Sequence, residues 1–201
     1  MLRKYLVFLG VSIFCLAALA TYNAVAAKAP EYVGVEGCNC HKTEYEEWSK
    51  SSHANAFNIL LAAGRSRGDN KAMKDAGLDY KKDYDKDPKC LPCHTIGYGK
   101  PGGYKDEKSP EHLRGVGCEM CHGAGSEYRV LHKEKDETFT KAEAAAMGEV
   151  YPPTKEMCLE CHDHPDSPFN SKVDEKYKFD FEEMVKLNKA WHKKYELMFK
   201  H

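Results

Sequence analysis

The chain has 201 residues, enough for one ordinary domain or two small ones. A formal charge of −1 excludes a strongly basic surface built for nucleic acid. The 42% hydrophobic content is weighted toward the first 27 residues, so the remainder needs something besides Leu and Val to build a core around.

The N-terminus reads as an export signal covering residues 1–26. Arg3 and Lys4 form a positive start, Tyr5 to Ala20 is an uncharged apolar run, and Ala24-Val25-Ala26 is an A-x-A cleavage pattern. The alternative is an uncleaved anchor, which needs about 20 mostly apolar residues. Thr21, Tyr22 and Asn23 weaken that reading. Bulky Phe14 makes Cys15 a poor lipid-attachment site. Cleavage after Ala26 lowers the basic residues from 30 to 28 against 31 acidic ones, a charge of −3. The export reading puts residues 27–201 in the periplasm as a single domain.

Next comes "EGCNCHKTEY", with Cys38, Cys40 and His41. Residues 43–62 follow with Tyr45, Trp48, Ser52, Ala56, Ile59 and Leu60 at helical steps, and Gly64 as a stop. The charged stretch 64–88 reads as a connector or a short exposed helix. After "CLPCH", residues 96–110 are loop or hairpin from their Gly and Pro content. "GVGCEMCHGAG" surrounds the next motif with glycine. Gly123 and Gly125 serve either a tight turn or a helix C-cap. "KAEAAAM", 141–147, is helical and "YPPT" breaks it. After "CLECH", a helix from Asp180 carries Phe181, Met184, Val185, Trp191, His192 and Tyr195 on one face.

Nine cysteines are present. Cys15 leaves with the signal, and the other eight form close pairs: Cys38/Cys40, Cys90/Cys93, Cys118/Cys121 and Cys158/Cys161. Disulfides or zinc knuckles are the defaults for such pairs. Each pair, however, is followed at once by histidine: His41, His94, His122 and His162. Histidine supplies 10 of 201 residues, so four such coincidences would arise by chance roughly once in 160,000. Covalent c-type haem requires that histidine: the thiols add to the vinyl groups and the His ligates the iron. Three motifs are complete C-x-x-C-H, and the first is one residue short.

Six histidines remain for the far side of the irons. His201 is terminal, His164 lies two residues past a proximal ligand, and His112 reads as a solvated loop residue. His53, His132 and His192 sit near apolar or aromatic neighbours and are the distal candidates. The count is three for four irons. Met73, Met120, Met147 and Met157 are available, but nothing selects one. Three closed haems and one with an open coordination position are therefore expected.

These residues resemble the tetrahaem cytochrome c-554 family of exported electron carriers over about 31–199. The resemblance runs through "CHKTEYEEWSKSSHA", "DYDKDPKCLPCHTIGYGKPGGY", "GVGCEMCHGAG" and "CLECH", then "SPFNSKVDEKYKFDFEEMVKLNKAWHKKYE". It implies four haems, with distal ligands at His53, His132 and His192. It further implies that the second-motif haem is five-coordinate beneath Ser167, Pro168 and Phe169. Relatives of this kind take electrons from an octahaem hydroxylamine-oxidising enzyme, and nitric oxide reduction has been considered at the open haem. The departure is the first motif. With Cys40 and His41 in register, Gly37 occupies the first-cysteine position and Cys38 is one step off. Residues two apart on a helical turn do not face the same way, so one thioether, through Cys40, is expected. Loss of that haem is the alternative.

The expected fold is mainly α, with few short strands and long loops organised by haem. The expected function is electron carriage between redox partner proteins, with an acidic surface suited to a basic patch. No nucleic acid and no stable membrane span are expected once the signal is cleaved. The rival readings are a small nitric oxide or hydroxylamine reductase, with Ser167 a weak polar candidate at its site, and a subunit of a haem filament, with His112 or His164 ligating across copies.

Overall fold

The computed structural model describes residues 28–66, 68–133 and 139–186. The expected signal and the apolar face beyond Lys186, His192 included, lie outside the described residues. Seven α-helices occur among those described: α1 Lys42–Ser49, α2 Asp69–Asp75, α3 Leu91–His94, α4 Glu119–His122, α5 Lys141–Ala146, α6 Lys155–His162 and α7 Phe181–Lys186. Six short 3-10 turns join them, including Val35–Cys38, Asn58–Leu60 and Tyr128–Lys133. The expected mainly α fold is observed. Among the described residues its strand content is a single antiparallel bridge between Thr95 and Arg114.

The helix expected over 43–62 stops at Ser49. Carbonyls that would continue it are taken by distant donors. Val116 N–H donates to His53 O at 2.9 Å, and Tyr84 N–H donates to Leu60 O at 2.8 Å. His94 Nδ1 donates to Ala56 O at 2.5 Å. Ser51 Oγ accepts from Ala54 N–H at 3.2 Å, a local alternative to helix. Chain 50–60 is thus spent on tertiary bonds.

The short helix allowed within 64–88 is α2. Segment 96–110 is a loop pinned by Tyr104 N–H to Ile96 O and Ile96 N–H to Leu113 O, both 2.9 Å. The 141–147 helix is α5, started by a capping box in which Thr140 and Glu143 satisfy each other's backbone N–H groups.

One apolar cluster holds the first half together. Ile96 and Tyr104 are fully buried at its centre, with Phe57, Leu60, Leu91 and Leu113 around them. Trp48 seals its edge and donates Nε1–H to Val116 O at 2.8 Å. By contrast α1, α6 and α7 contain no buried residue.

Glu119 ties the N-terminal segment to this frame. It is buried, and its carboxylate accepts from Val33 N–H at 2.9 Å, Gly34 N–H at 2.7 Å and Gly125 N–H at 2.7 Å. Burial pushes its carboxyl above the ordinary range, while those N–H groups and Arg129 pull it back. A glutamine amide would aim donors at donors. Glu119→Gln is expected to cost about 3 kcal/mol, the scale of hydrogen bonds to a charged group. Exposed Glu46→Gln is expected to stay within about 0.5 kcal/mol. Denaturant unfolding of the two variants of the mature protein checks this.

Candidate haem site

The three complete motifs each lie on a helical turn. Cys90 caps α3, which ends at His94, and Cys118 caps α4, which ends at His122. Cys158, Cys161 and His162 all lie in α6, opened by Thr154, whose side chain accepts from Met157 N–H. In α4 the His122 and Cys121 N–H groups both donate to Cys118 O, at 2.9 and 3.0 Å. That turn brings both thiols and the histidine together, as covalent haem attachment needs. Gly123 ends it at φ +82°, and a Cβ there would meet Gly148 O at 2.3 Å. The glycine is the C-cap, one of the two roles expected for it, and its close approach is to the Gly148 backbone.

The first motif is built differently. Cys38 ends the 3-10 turn Val35–Cys38, and His41 is the N-cap of α1 at φ −84°, ψ 68°. Cys40 lies between them and is exposed, as is His41.

Two of the motif histidines are oriented through Nδ1. His94 Nδ1 donates to Ala56 O, and His122 Nδ1 donates to Val150 O at 3.1 Å. Bonding through Nδ1 is a common arrangement for ligand histidines. Burial depresses the His94 imidazole despite that carbonyl. Burial and then nearby His53 depress His162. Both shifts favour the neutral imidazole, the ligating form. Phe179 stacks on His162 at 4.4 Å between ring centres, and Tyr151 stacks on His122 at 6.2 Å.

The motifs also meet one another. The Cys38 and Cys118 thiols lie near enough to perturb each other, as do those of Cys93 and Cys161. Cys121 feels both Cys158 and Cys118, and burial pushes its thiol up to about 11. None of the eight cysteines is in a disulfide. Among the described residues, no three His, Cys, Asp or Glu side chains gather into a metal cage. The donors are therefore distributed motif by motif, which suits separate haems better than a zinc centre.

His53 faces His162 with ring centres 6.0 Å apart and planes at 65°. His132 lies in the turn Tyr128–Lys133, but its side chain and all of His192 are outside the described residues. His112 Nδ1 is 3.3 Å from Glu36 Oε2. His164 Nδ1 accepts from Asp166 N–H at 3.2 Å. Met73 is buried in the apolar cluster, and Met120 Sδ accepts from Gly97 N–H at 3.4 Å. Ser167 Oγ accepts from Phe169 N–H, and Phe169 packs on the cluster that contains Leu91. Buried Asn170 fixes that segment by donating to His164 O, Pro165 O and Ser167 O.

Sequence reasoning missed the carbonyls of Ala56 and Val150, the Phe179 stack and the Glu119 clamp. Backbone acceptors leave no mark in a sequence. Glu119 had one faint signal, an acidic residue inside a motif flanked by glycines.

Paired thiols and a following imidazole on helical turns, in a helical chain with a small apolar core, define a multihaem c-type cytochrome. Residues 37–123 match the family described as cytochrome c554 and c-prime. The chain is 34% identical to cytochrome c-554 of Nitrosomonas europaea, over 96% of its own length and 88% of that protein. It also superposes on the reduced state of cytochrome c554 from Nitrosomonas europaea with a TM-score of 0.73 and 36% identity, covering 86% of this chain and 89% of that one. The chain belongs to the cytochrome c-554 family, and its cofactor is covalently attached c-type haem.

The His53 backbone depends on Gly115, at φ +82°, where a Cβ would meet His53 O at 3.0 Å and Ala54 O at 2.7 Å. Gly77 has φ +71° and open space around it. Gly115→Ala is expected to cost about 1–3 kcal/mol, more than Gly77→Ala. It should also alter the low-spin spectrum of one haem, which Gly77→Ala should not. Thermal melts and electron paramagnetic resonance of the holoproteins check both.

Proposed function

We propose that this protein is an exported tetrahaem electron carrier that passes electrons between redox partner proteins through closely packed haems. The observation that carries the reading is the packing of the third-motif helix α4 against the fourth-motif helix α6 within one fold. Attachment points on neighbouring helices hold their cofactors close together. Bound haem supplies one-electron redox chemistry at its iron, with the potential tuned by axial ligand and burial.

The chain's residues divide the work. Cys90, Cys93, Cys118, Cys121, Cys158 and Cys161 hold three haems by paired thioethers, and the first motif holds the fourth. His41, His94, His122 and His162 are proximal ligands. The His53 and His162 rings, 6.0 Å apart between centres, are spaced so that both could ligate one metal through bonds of about 2 Å, and His53 would be the second ligand of a fourth-motif haem. His132 and His192 would serve two others by family resemblance. A second-motif haem, on His94, would lack a second protein ligand, with Ser167, Pro168 and Phe169 beside it by the same resemblance. The apolar packing of Phe169 favours exclusion of water there over proton delivery, which supports carriage over reduction of a nitrogen oxide.

The leader directs the chain to the periplasm and is removed. Among the described residues no helix is long and apolar enough to cross a membrane. The mature acidic surface suits a partner with a basic docking patch.

The oxidised holoprotein is expected to carry four haems per chain, three low-spin and one high-spin by electron paramagnetic resonance. His53→Ala should convert one low-spin haem to high-spin and leave the count at four. Four low-spin haems in a monomer would remove the open position. Sustained nitric oxide or hydroxylamine turnover would replace the carrier reading with an enzyme.

A further inference from the structure

The first motif departs from the other three in sequence and in backbone, and its two cysteines point to different fates. We propose that the first haem is held by a single thioether, from Cys40, while Cys38 remains an unattached thiol. This rests on the tetrahaem reading above, since it takes a haem at the first motif as given.

Three observations support it. First, a complete motif carries both cysteines and its histidine on one helical turn, as α4 does from Cys118 to His122. Here His41 N–H still bonds Cys38 O at 3.1 Å, but Cys38 closes a 3-10 turn and His41 is the N-cap of α1, so the motif spans a junction between elements. Second, the position that would hold the first cysteine at normal spacing is Gly37, and it has been filled by other groups. A Cβ at Gly37 would meet Val33 Cγ2 at 2.5 Å and Arg129 Nη1 at 2.9 Å. Arg129 Nε is buried with no hydrogen-bond partner, so an acceptor such as a haem carboxylate would suit it. Third, the two thiols face different surroundings. Cys40 and His41 are adjacent and both exposed, forming one face that a haem can cover. Cys38 is only partly exposed and lies near Cys118, the first anchor of the third motif.

The attachment is redox-neutral. The Cys40 S–H bond breaks, Sγ bonds the inner carbon of one vinyl group, and the proton ends on the outer carbon. Nothing leaves. The second vinyl group stays intact and conjugated with the ring.

The test uses the mature holoprotein, denatured and alkylated without reduction, then digested and sequenced by mass spectrometry. The expected first-motif peptide carries one haem, on Cys40, and one alkyl group, on Cys38. The haemochrome of that isolated peptide should absorb to the red of those from the other three motifs, because of the retained vinyl. Any of four results overturns the proposal: no alkyl group beside the haem, the alkyl group on Cys40, two alkyl groups and no haem, or a Cys38–Cys118 disulfide. Loss of this haem with the other three intact would leave the carrier function standing. As a second measurement, Cys38→Ala should retain four haems and Cys40→Ala only three. Equal haem loss from both variants contradicts the assignment.

Discussion

The arrangement of the described residues depends on a shortage of apolar protein core among them. One cluster around Ile96 and Tyr104 organises the first half of the chain. The helix of the fourth motif buries no residue of its own, and α1 and α7 bury none. Helices this short are not stable in isolation and draw their stability from packing. For α6 that partner would be the haem attached at its own motif. Covalent attachment then serves structure and chemistry together, because the groups that hold the cofactor also hold the helices.

Around that constraint the chain uses polar ties where a larger protein would use aliphatic contact. Glu119 collects three backbone N–H groups from two separate segments. Asn170 gathers three carbonyls in the segment expected over the second haem. The His94 and His122 rings are aimed by carbonyls from Ala56 and Val150, far away in sequence. Each tie fixes direction as well as position. Direction is what axial ligation demands, since a rotated ring loses its metal.

What could be read from the sequence follows the same logic. Covalent haem chemistry imposes a fixed local spacing, so the four motifs were visible from adjacent residues alone. The capping box at Thr140 and Glu143 is likewise local, and α5 begins where it was expected. His53 was selected by its neighbours, and it faces His162. The long helix over 43–62 failed because tertiary donors claim the carbonyls of His53, Ala56 and Leu60, and apolar periodicity carries no trace of them. The nearness of Cys38 to Cys118 was hidden for a similar reason, since it joins residues 80 positions apart.

The central claim is that haem attachment, more than aliphatic packing, makes this chain fold as a unit. The most direct measurement compares the mature holoprotein with the same mature chain produced without haem attachment. Near-ultraviolet circular dichroism and denaturant unfolding serve as the readouts. The account predicts that the haem-free chain lacks a cooperative transition and fixed aromatic signals. A haem-free chain that unfolds cooperatively, with a midpoint close to that of the holoprotein, would contradict it.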